Sequence, residues 1–308
     1  MQATNSSPRP LDGRTVLVTG AGKGLGAAFA RALAQAGANV VVNNRIREGA
    51  TDEASAVAEA ICRAGGRAVA EHSDVTDADA PRRMLARAMS EFGGLDAVVC
   101  NAGTSGPAAR FDTGAIDVIR SVMETNFFAN VALLEALKPA LETSTAGRAL
   151  LVSSSAGLYG VRGRAAYAAS KGALNAFALT LADEWRDRIG VNILCPYAAT
   201  RMTGAEDTTA QAAGPMAPDN IAQAAVWLAS PACTRTGETW LGGGKWLRRV
   251  RTVETEGGLM PDDLGAMDAF ADSQAGLDTA RGFTGAEAAF ADLFKTLSAA
   301  MREPETSA

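Results

Sequence analysis

The chain is poor in the residues that build hydrolytic and metal-dependent sites. Among its 308 residues there is a single histidine, His72, so a Ser-His-Asp hydrolase would have to use it. His72 lies near the end of an apolar segment, and we interpret it as structural. No His/Cys/Asp cluster suggests a metal. The four cysteines are scattered without metal-ligand spacing, which is typical of a reducing cytoplasm; they are Cys62, Cys100, Cys195 and Cys233.

Long apolar runs and an excess of positive charge are also missing. No run of about 18 apolar residues occurs, so no membrane span is expected. The formal net charge of -5 argues against nucleic acid as the main partner. Residues 1–10 are polar and lack the apolar core of a signal peptide, and we interpret them as a disordered lead. The composition is that of a globular protein, with 47% hydrophobic and 20% charged residues.

Short apolar segments alternate with helical patterns along most of the chain. Segments with the character of buried strands cover 15–18, 39–43, 67–72, 95–100, 148–152, 191–194 and 238–241. Helices are predicted over 27–36, 51–64, 80–92, 116–142, 164–188 and 219–229. This alternation predicts an α/β fold with a single doubly wound parallel sheet of about seven strands, the Rossmann fold.

The last part of the chain has a different pattern. No linker or repeat divides residues 11–245, whereas residues 246–301 are predicted to form a helical extension. Within it, 261–274 and 286–301 have helical spacing of apolar residues. Such a stripe needs a partner surface on its own subunit, on a partner subunit or over the active site. Residues 302–308 are interpreted as a disordered tail.

A glycine-rich turn follows the first predicted strand and precedes the first predicted helix. It reads Thr19-Gly20-Ala21-Gly22-Lys23-Gly24-Leu25-Gly26. In a strand–turn–helix unit, glycines let the backbone approach a pyrophosphate, and the helix N-terminus favours its negative charge. The unit therefore predicts a dinucleotide site, the alternative being a flexible turn without a ligand.

A phenol and an ammonium group lie four residues apart, at Tyr167 and Lys171, on one face of the predicted helix over 164–188. An unperturbed tyrosine titrates near pH ~10, and a neighbouring cation lowers that value. The pair is a candidate general acid/base for a group that becomes an alkoxide. The spacing alone equally fits two residues that share an exposed face.

Two further predicted strands end in polar residues, namely in Asn101-Ala102-Gly103 and in Ser153-Ser154-Ser155. Together with the glycine turn and Tyr167-x-x-x-Lys171, they resemble the short-chain dehydrogenase/reductase family over about residues 11–241. Asn126 falls where that family keeps a helix-kinking asparagine. Among the three serines, Ser154 matches the family interval to Tyr167, and Ser153 and Ser155 remain alternatives.

The resemblance implies that residues 11–245 form a dinucleotide-binding catalytic domain of an NAD(P)-dependent oxidoreductase. Tyr167 would exchange a proton with the substrate oxygen, and Ser154 would hydrogen-bond that oxygen. Lys171 would lower the tyrosine pKa and bind the nicotinamide ribose, and Asn126 would hold a proton-relaying water. The cofactor-binding positions that the resemblance implies are Gly20, Gly22, Lys23, Gly24, Leu25, Gly26, Asn44, Arg45, Asp74, Val75, Asn101, Ala102, Gly103, Tyr167, Lys171, Pro196 and Thr200.

The end of the second predicted strand bears on the choice of cofactor. The relatives carry an aspartate where Asn44 stands, and a carboxylate there would accept hydrogen bonds from the ribose of NAD and repel a 2′-phosphate. Since this carboxylate is missing, Lys23 and Arg45 favour NADP. Alternatively, both bases are solvated and Asn44 holds the ribose of NAD. Asp74 resembles the family position that contacts adenine, with Val75 packing on the ring.

The second half of the chain has a narrower resemblance. Residues 153–160, 196–203 and 240–246 are similar to the (3R)-hydroxyacyl-CoA dehydrogenase unit of peroxisomal multifunctional enzymes and their bacterial relatives. A 3-hydroxyacyl or 3-oxoacyl thioester is therefore the leading substrate. Arg201 and Lys245 could supply positive charge near the substrate, although both could simply be solvated. The small residues of the loop 200–216 would equally suit a cyclic, steroid-like or terpenoid ketone.

Further expectations concern the lining of the pocket, the rival functions and the oligomeric state. The family often has Pro-Gly where this chain has Pro196-Tyr197, so Tyr197 would line the nicotinamide or substrate pocket or only shape its loop. The rival class is a non-catalytic dinucleotide-binding sensor or scaffold, against which the intact Asn126, Ser154, Tyr167 and Lys171 argue. A sugar epimerase is disfavoured by the glycine spacing.

The helices over 116–142 and 164–188 form the dimer face in the family, so a homodimer or homotetramer acting on a small molecule is expected.

Overall fold

The computed structural model describes residues 9–112, 115–199, 214–261 and 263–300. Eight strands form one sheet in the order β3-β2-β1-β4-β5-β6-β7-β8. The strands are β1 (Thr15–Val18), β2 (Asn39–Asn43), β3 (Arg67–Glu71), β4 (Ala97–Cys100), β5 (Gly147–Val152), β6 (Ile189–Tyr197), β7 (Glu238–Gly243) and β8 (Trp246–Val250). Strands β1 to β7 pair in parallel. This arrangement confirms the predicted doubly wound α/β fold.

Helices cover both faces of the sheet. They are α1 (Gly24–Gln35), α2 (Glu53–Arg63), α3 (Ala80–Phe92), α4 (Ala115–Met123), α5 (Ala129–Thr143), α6 (Ala156–Tyr159), α7 (Ala165–Glu184) and α8 (Pro218–Ala229). One core cluster includes Phe29, Leu33 and Ile221, on the face of α1, α2 and α8. The other includes Met84 and Leu134, on the face of α3, α5 and α7. Strands buried between two layers need apolar residues on both sides, which is why β1, β2 and β4 appear as continuous apolar runs.

The structure differs from the sequence-based expectation in several elements. The single helix expected over 116–142 is interrupted by one π-helical turn, Glu124–Phe128, between α4 and α5. Strand β6 extends beyond the predicted 191–194 in both directions. Strand β8 was not expected, because its side chains are mostly exposed and it lacks the apolar run of a buried strand. The two-residue connection Gly244-Lys245 makes β8 run back along β7.

Contacts divide the chain into two units, Met1–Arg249 and Val250–Ala308. The second unit holds a 3₁₀ turn (Leu264–Ala266), α9 (Met267–Ser273) and α10 (Ala286–Ala300). The helix expected over 261–274 is thus only a short turn and a seven-residue helix. The apolar stripe of α10 is not buried by the residues that the structure describes, since Phe290 and Phe294 are 69% and 62% exposed. Among the described residues, none of the helices combines the length and apolar character needed to span a bilayer.

Candidate active site

The turn between β1 and α1 has a backbone that only glycine allows at several positions. Gly20 and Gly24 have φ angles of +62° and +55°, in the left-handed region. A Cβ atom at Gly26 would lie 2.3 Å from the carbonyl oxygen of Gly20. Helix α1 begins without a side-chain cap, so its first N–H groups are left for an external acceptor. Such a cradle fits the pyrophosphate of a dinucleotide.

The end of β4 is fastened to this turn by hydrogen bonds. The backbone N–H groups of Asn101 and Ala102 both donate to Oγ1 of Thr19 at 3.0 Å. The side-chain amide of Asn101 donates to the carbonyl oxygens of Thr19 at 2.9 Å and Gly20 at 3.1 Å. The predicted residues Asn101 and Ala102 therefore lie against the glycine turn. Thr19, which was not among the predicted site residues, is the link between the two strand ends.

The structure brings Ser154 and Tyr167 together at the carboxyl edge of the sheet. Ser154 follows β5 and accepts a hydrogen bond from the backbone of Ala156 at 3.2 Å. Tyr167, on α7, lies near enough to the Ser154 side chain for that hydroxyl to lower its pKa. A Cβ atom at Gly157 would lie 2.6 Å from the backbone carbon of Lys171. This close approach of α6 to α7 holds the serine beside the tyrosine.

Burial sets the protonation of Tyr167 and Lys171. The pKa of Tyr167 is raised above its ordinary value chiefly because the phenol is buried, although the hydrogen bond to Ser154 opposes this. Burial lowers the pKa of Lys171 to about 8. Its Nζ donates to the carbonyl oxygen of Val152 at 2.7 Å and lies 5.9 Å from the centroid of the Tyr167 ring. The expected lowering of the tyrosine pKa by Lys171 is therefore not seen, and at neutral pH the phenol holds its proton.

The buried ammonium of Lys171 predicts a stabilising substitution. A pKa lowered from 10.5 to about 8 corresponds to about 3 kcal/mol at neutral pH, at about 1.4 kcal/mol per pH unit. Lys171→Met removes this cost but loses the hydrogen bond to Val152, which is worth about 1.5–3 kcal/mol because its donor is charged. We expect the free energy of unfolding at pH 7 to rise by about 1 kcal/mol, measured by urea denaturation.

The stability advantage of Lys171→Met should depend on pH, and its direction follows from the lysine pKa. Between pH 8 and 10.5 the unfolded chain binds the lysine proton and the folded chain does not, so the stability of the wild type rises with pH. The advantage of Lys171→Met should therefore be full below pH 8 and shrink toward pH 10.5. An advantage that is constant over this range, or a less stable variant at pH 7, would contradict the assignment.

Asn126 lies in the π-helical turn and is fully buried. Its Oδ1 accepts from the backbone N–H of Thr104 at 2.8 Å, and its Nδ2 donates to the Thr104 carbonyl oxygen and to Oγ of Ser170, both at 2.9 Å. A Cβ atom at Gly103 would lie 3.1 Å from Oδ1 of Asn126 and 3.7 Å from Nζ of Lys171. Asn126 thus positions the loop after β4 against α7, and the proton-relaying water stays a prediction.

The basic residues expected to meet a 2′-phosphate already have acidic partners. Nζ of Lys23 lies 2.9 Å from Oε1 of Glu53, and Arg45 forms an ion pair with Asp74. Burial acts to raise the pKa of Asp74, but hydrogen bonds from Arg45 and Thr76 outweigh it and hold that pKa below its usual value. Glu53 was missed by the sequence analysis, although an acidic residue in the first turn of a predicted helix was a visible signal.

The end of β2 is supported by a second asparagine that the sequence analysis did not single out. Oδ1 of Asn43 accepts from the backbone N–H of Gly20 at 3.4 Å. Its Nδ2 donates to the carboxylate of Glu71 at 2.7 Å and to the carbonyl oxygen of Ser73 at 3.0 Å. Asn43 therefore links the glycine turn to β3. Val75, expected on the adenine ring, is partly buried and packs against the core.

The remaining predicted residues lie at the ends of β6 and β7. Pro196 and Tyr197 pair with Gly242 and Gly243, and Tyr197 is 45% exposed. Lys245 lines a cavity of about 410 Å³ together with Met216. Thr200 and Arg201 lie outside the described residues.

Comparisons with known proteins agree with this geometry. A family model described as short chain dehydrogenase matches residues 14–211. Peroxisomal multifunctional enzyme type 2 of Mus musculus is 34% identical over 267 residues, which are 83% of this chain but only 35% of the mouse protein. The chain thus spans about a third of the length of that relative.

Two bacterial relatives are matched over most of their own length. A hydroxyacyl-CoA dehydrogenase of Mycobacterium tuberculosis is 36% identical over 249 residues, covering 74% of this chain and 78% of that protein. A 3beta-hydroxysteroid dehydrogenase of Eggerthella lenta is 38% identical over 234 residues, covering 71% and 88%.

Solved structures show the same fold. A short chain dehydrogenase of Mycobacterium avium superposes with a TM-score of 0.75 at 32% identity, covering 88% of this chain and 97% of that one. A short chain dehydrogenase of Shigella flexneri in complex with NADP gives a TM-score of 0.68 at 30% identity, covering 76% and 99%.

Proposed function

This chain belongs to the short-chain dehydrogenase/reductase family, and we propose that it interconverts a secondary alcohol and a ketone with a nicotinamide dinucleotide. The observation that carries the proposal is the grouping of Ser154, Tyr167 and Lys171 beside the glycine turn at the carboxyl edge of the sheet. Ligands of doubly wound sheets bind at this edge. A non-catalytic sensor would not require a partly buried phenol beside a buried ammonium group, since burying an ammonium group costs free energy.

Each residue of the site has a chemical role in this reaction. The nicotinamide, when bound, supplies or accepts the hydride. Tyr167, protonated at neutral pH, donates its proton to the substrate oxygen in reduction, and in oxidation its phenolate form would accept the proton of the alcohol. Ser154 hydrogen-bonds the same oxygen and stabilises the charge that develops there. The turn Gly20–Gly26, the residues Asn101–Gly103 and the ammonium group of Lys171 would hold the cofactor.

The leading substrate is a 3-oxoacyl or 3-hydroxyacyl thioester. Two relatives of this chain are a peroxisomal multifunctional enzyme and a hydroxyacyl-CoA dehydrogenase. The loop after β4 and the loop before α7 are joined by a hydrogen bond from the Arg164 side chain to the carbonyl oxygen of Gly106 at 2.9 Å. These loops leave Phe111 and Val161 exposed. Exposed apolar side chains beside a site suit an apolar acyl chain.

A steroid-like or other cyclic ketone is the second candidate. It is favoured by the similarity to the Eggerthella lenta enzyme, and the same exposed apolar residues would contact its rings. The two candidates differ in shape and in the phosphates of coenzyme A. Positive charge near the described part of the substrate region includes Arg164, whose charge acts on Tyr167, and Lys245, which lines the cavity next to Met216.

A comparison of kcat/KM separates these substrates. We expect 3-oxoacyl-CoA to be preferred over cyclic ketones of similar size, assayed with both NADH and NADPH. A preference for the rings by more than about tenfold, or ~1.4 kcal/mol in transition-state binding, would reject the thioester and leave the oxidoreductase intact. Reduction of none of these ketones would count against the oxidoreductase itself.

The oligomeric state and the location in the cell stay predictions. We propose a homodimer or homotetramer formed through the segments 116–142 and 164–188, where Phe128, in the π-helical turn, and Leu179, on α7, are 51% and 47% exposed. Light scattering that shows only a 31.6 kDa species would contradict this. The cytoplasmic location is tested by cell fractionation, since one relative is a peroxisomal enzyme.

A further inference from the structure

The start of α2 lies against the turn that would hold the cofactor. A Cβ atom at Gly22 would be 2.6 Å from Nδ2 of Asn44 and 2.8 Å from Cβ of Glu53. The Asn44 amide in turn donates to Oε2 of Glu53 at 3.2 Å. Glu53 is therefore packed on the glycine turn and bonded to the residue that follows β2, although it lies ten positions beyond the end of that strand.

The charges around this point are balanced. Lys23 and Arg45 are the basic residues expected to meet a 2′-phosphate, and they are paired with Glu53 and Asp74. Next to Glu53, the carboxylate of Asp52 caps α2 by accepting from the backbone N–H of Ser55 at 2.9 Å. The N-terminal end of α2, which would otherwise favour an anion, thus carries two carboxylates. No surplus positive charge is left among these residues for a dianionic phosphate.

We propose that Glu53 is the residue that selects the cofactor, and that it selects NAD over NADP. Its carboxylate takes the place of the acid missing at Asn44: it accepts hydrogen bonds from the ribose hydroxyls and repels a 2′-phosphate. Lys23 then serves to orient that carboxylate rather than to bind phosphate. This inference rests on the proposed nicotinamide-dependent function, and it reverses the preference for NADP that the isolated positions of Lys23 and Arg45 indicate.

Binding of two fragments without nicotinamide tests the selection apart from turnover. Calorimetry on the full chain compares ADP-ribose with 2′-phospho-ADP-ribose. We expect the wild type to bind ADP-ribose at least about tenfold more tightly. Glu53→Gln, which keeps shape and removes charge, should reduce that ratio roughly ten- to a hundredfold, the range for a charge-assisted hydrogen bond. Glu59→Gln is the matched control, because Glu59 lies on the same helix and, within the part of the chain that the structure describes, forms its ion pair with Arg63, at 3.3 Å.

A second variant covers the case in which Glu53→Gln disturbs the fold. Lys23→Met removes the cation that pairs with the Glu53 carboxylate. The affinity for the phosphorylated fragment should therefore fall further, and binding of ADP-ribose should persist. If Lys23 instead binds phosphate, this variant would lose affinity for 2′-phospho-ADP-ribose alone, and the proposal fails.

The outcomes separate this inference from the proposed function. A wild type that binds both fragments equally, or a ratio that Glu53→Gln does not alter, overturns the role of Glu53 and leaves the oxidoreductase standing. A wild type that binds neither fragment overturns both the role of Glu53 and the proposed nicotinamide-dependent function.

Discussion

Replacing Tyr167 by phenylalanine should lower kcat by about 100-fold to 10,000-fold, the range that a positioned general acid contributes. The ring remains in place, so packing against its neighbours is preserved and only the transferable proton is lost. Because burial raises the pKa of this phenol, the group is protonated across the neutral range and acts first as an acid. The measurement is single-turnover reduction of an identified ketone.

The chain offers a matched control for this experiment. Tyr159 lies on α6 and is 72% exposed, so Tyr159→Phe should change kcat by less than about twofold, as expected for an exposed side chain away from special contacts. Binding of ADP-ribose should be the same in both variants, which shows that the cofactor cradle is intact. If Tyr167→Phe kept most of its kcat, another group would be the acid and the proposed chemistry would be wrong.

Gly26→Ala should weaken dinucleotide binding and destabilise the fold. The added Cβ atom would lie 2.3 Å from the carbonyl oxygen of Gly20 and 2.6 Å from Nδ2 of Asn101. The first of these contacts is backbone and cannot rotate away, so the turn has to open. Overpacking of this kind costs about 1–3 kcal/mol. Both the free energy of unfolding and the affinity for ADP-ribose should fall, the latter by more than about tenfold.

The same substitution elsewhere in a helix is expected to have the opposite sign. Gly172 lies within α7, and a Cβ atom there would lie 3.6 Å from the carbonyl oxygen of Gly157, an ordinary contact. Gly172→Ala should stabilise the chain by about 0.5–1 kcal/mol, because glycine is the poorer helix former. Equal stabilities of Gly26→Ala and Gly172→Ala would show that the turn tolerates a side chain and is not shaped for a ligand.

The sheet could be predicted from the sequence because its signals are local. Strand β2 and helix α3 were predicted with the bounds that the structure gives, since each is a contiguous pattern bounded by turn residues. The glycine turn could also be found in one segment of chain. Asn126 was found through resemblance, and the turn that it occupies is π-helical, which no periodicity over 116–142 indicates.

The sequence could not show which residues that are distant along the chain lie close together in the fold. Glu53 reaches Lys23 and Asn44 only because α2 packs back on the glycine turn. A basic residue considered alone looks like a phosphate ligand, whereas the same residue beside a carboxylate does not. The protonation of Tyr167 depends likewise on burial, which the spacing of Tyr167 and Lys171 does not reveal.

The contacts of Asn126 have a consequence for how the enzyme responds to its surroundings. Its amide bonds to both backbone groups of Thr104, so the side chain pairs with Thr104 as a residue of a neighbouring strand would. Aspartate has the same shape, but it would place an oxygen against the Thr104 carbonyl. This pairing contains no titratable or charged group, so pH and salt do not change it. A pH profile of activity should therefore reflect the reacting groups, including Lys171, whose pKa burial lowers to about 8, rather than a loss of this pairing.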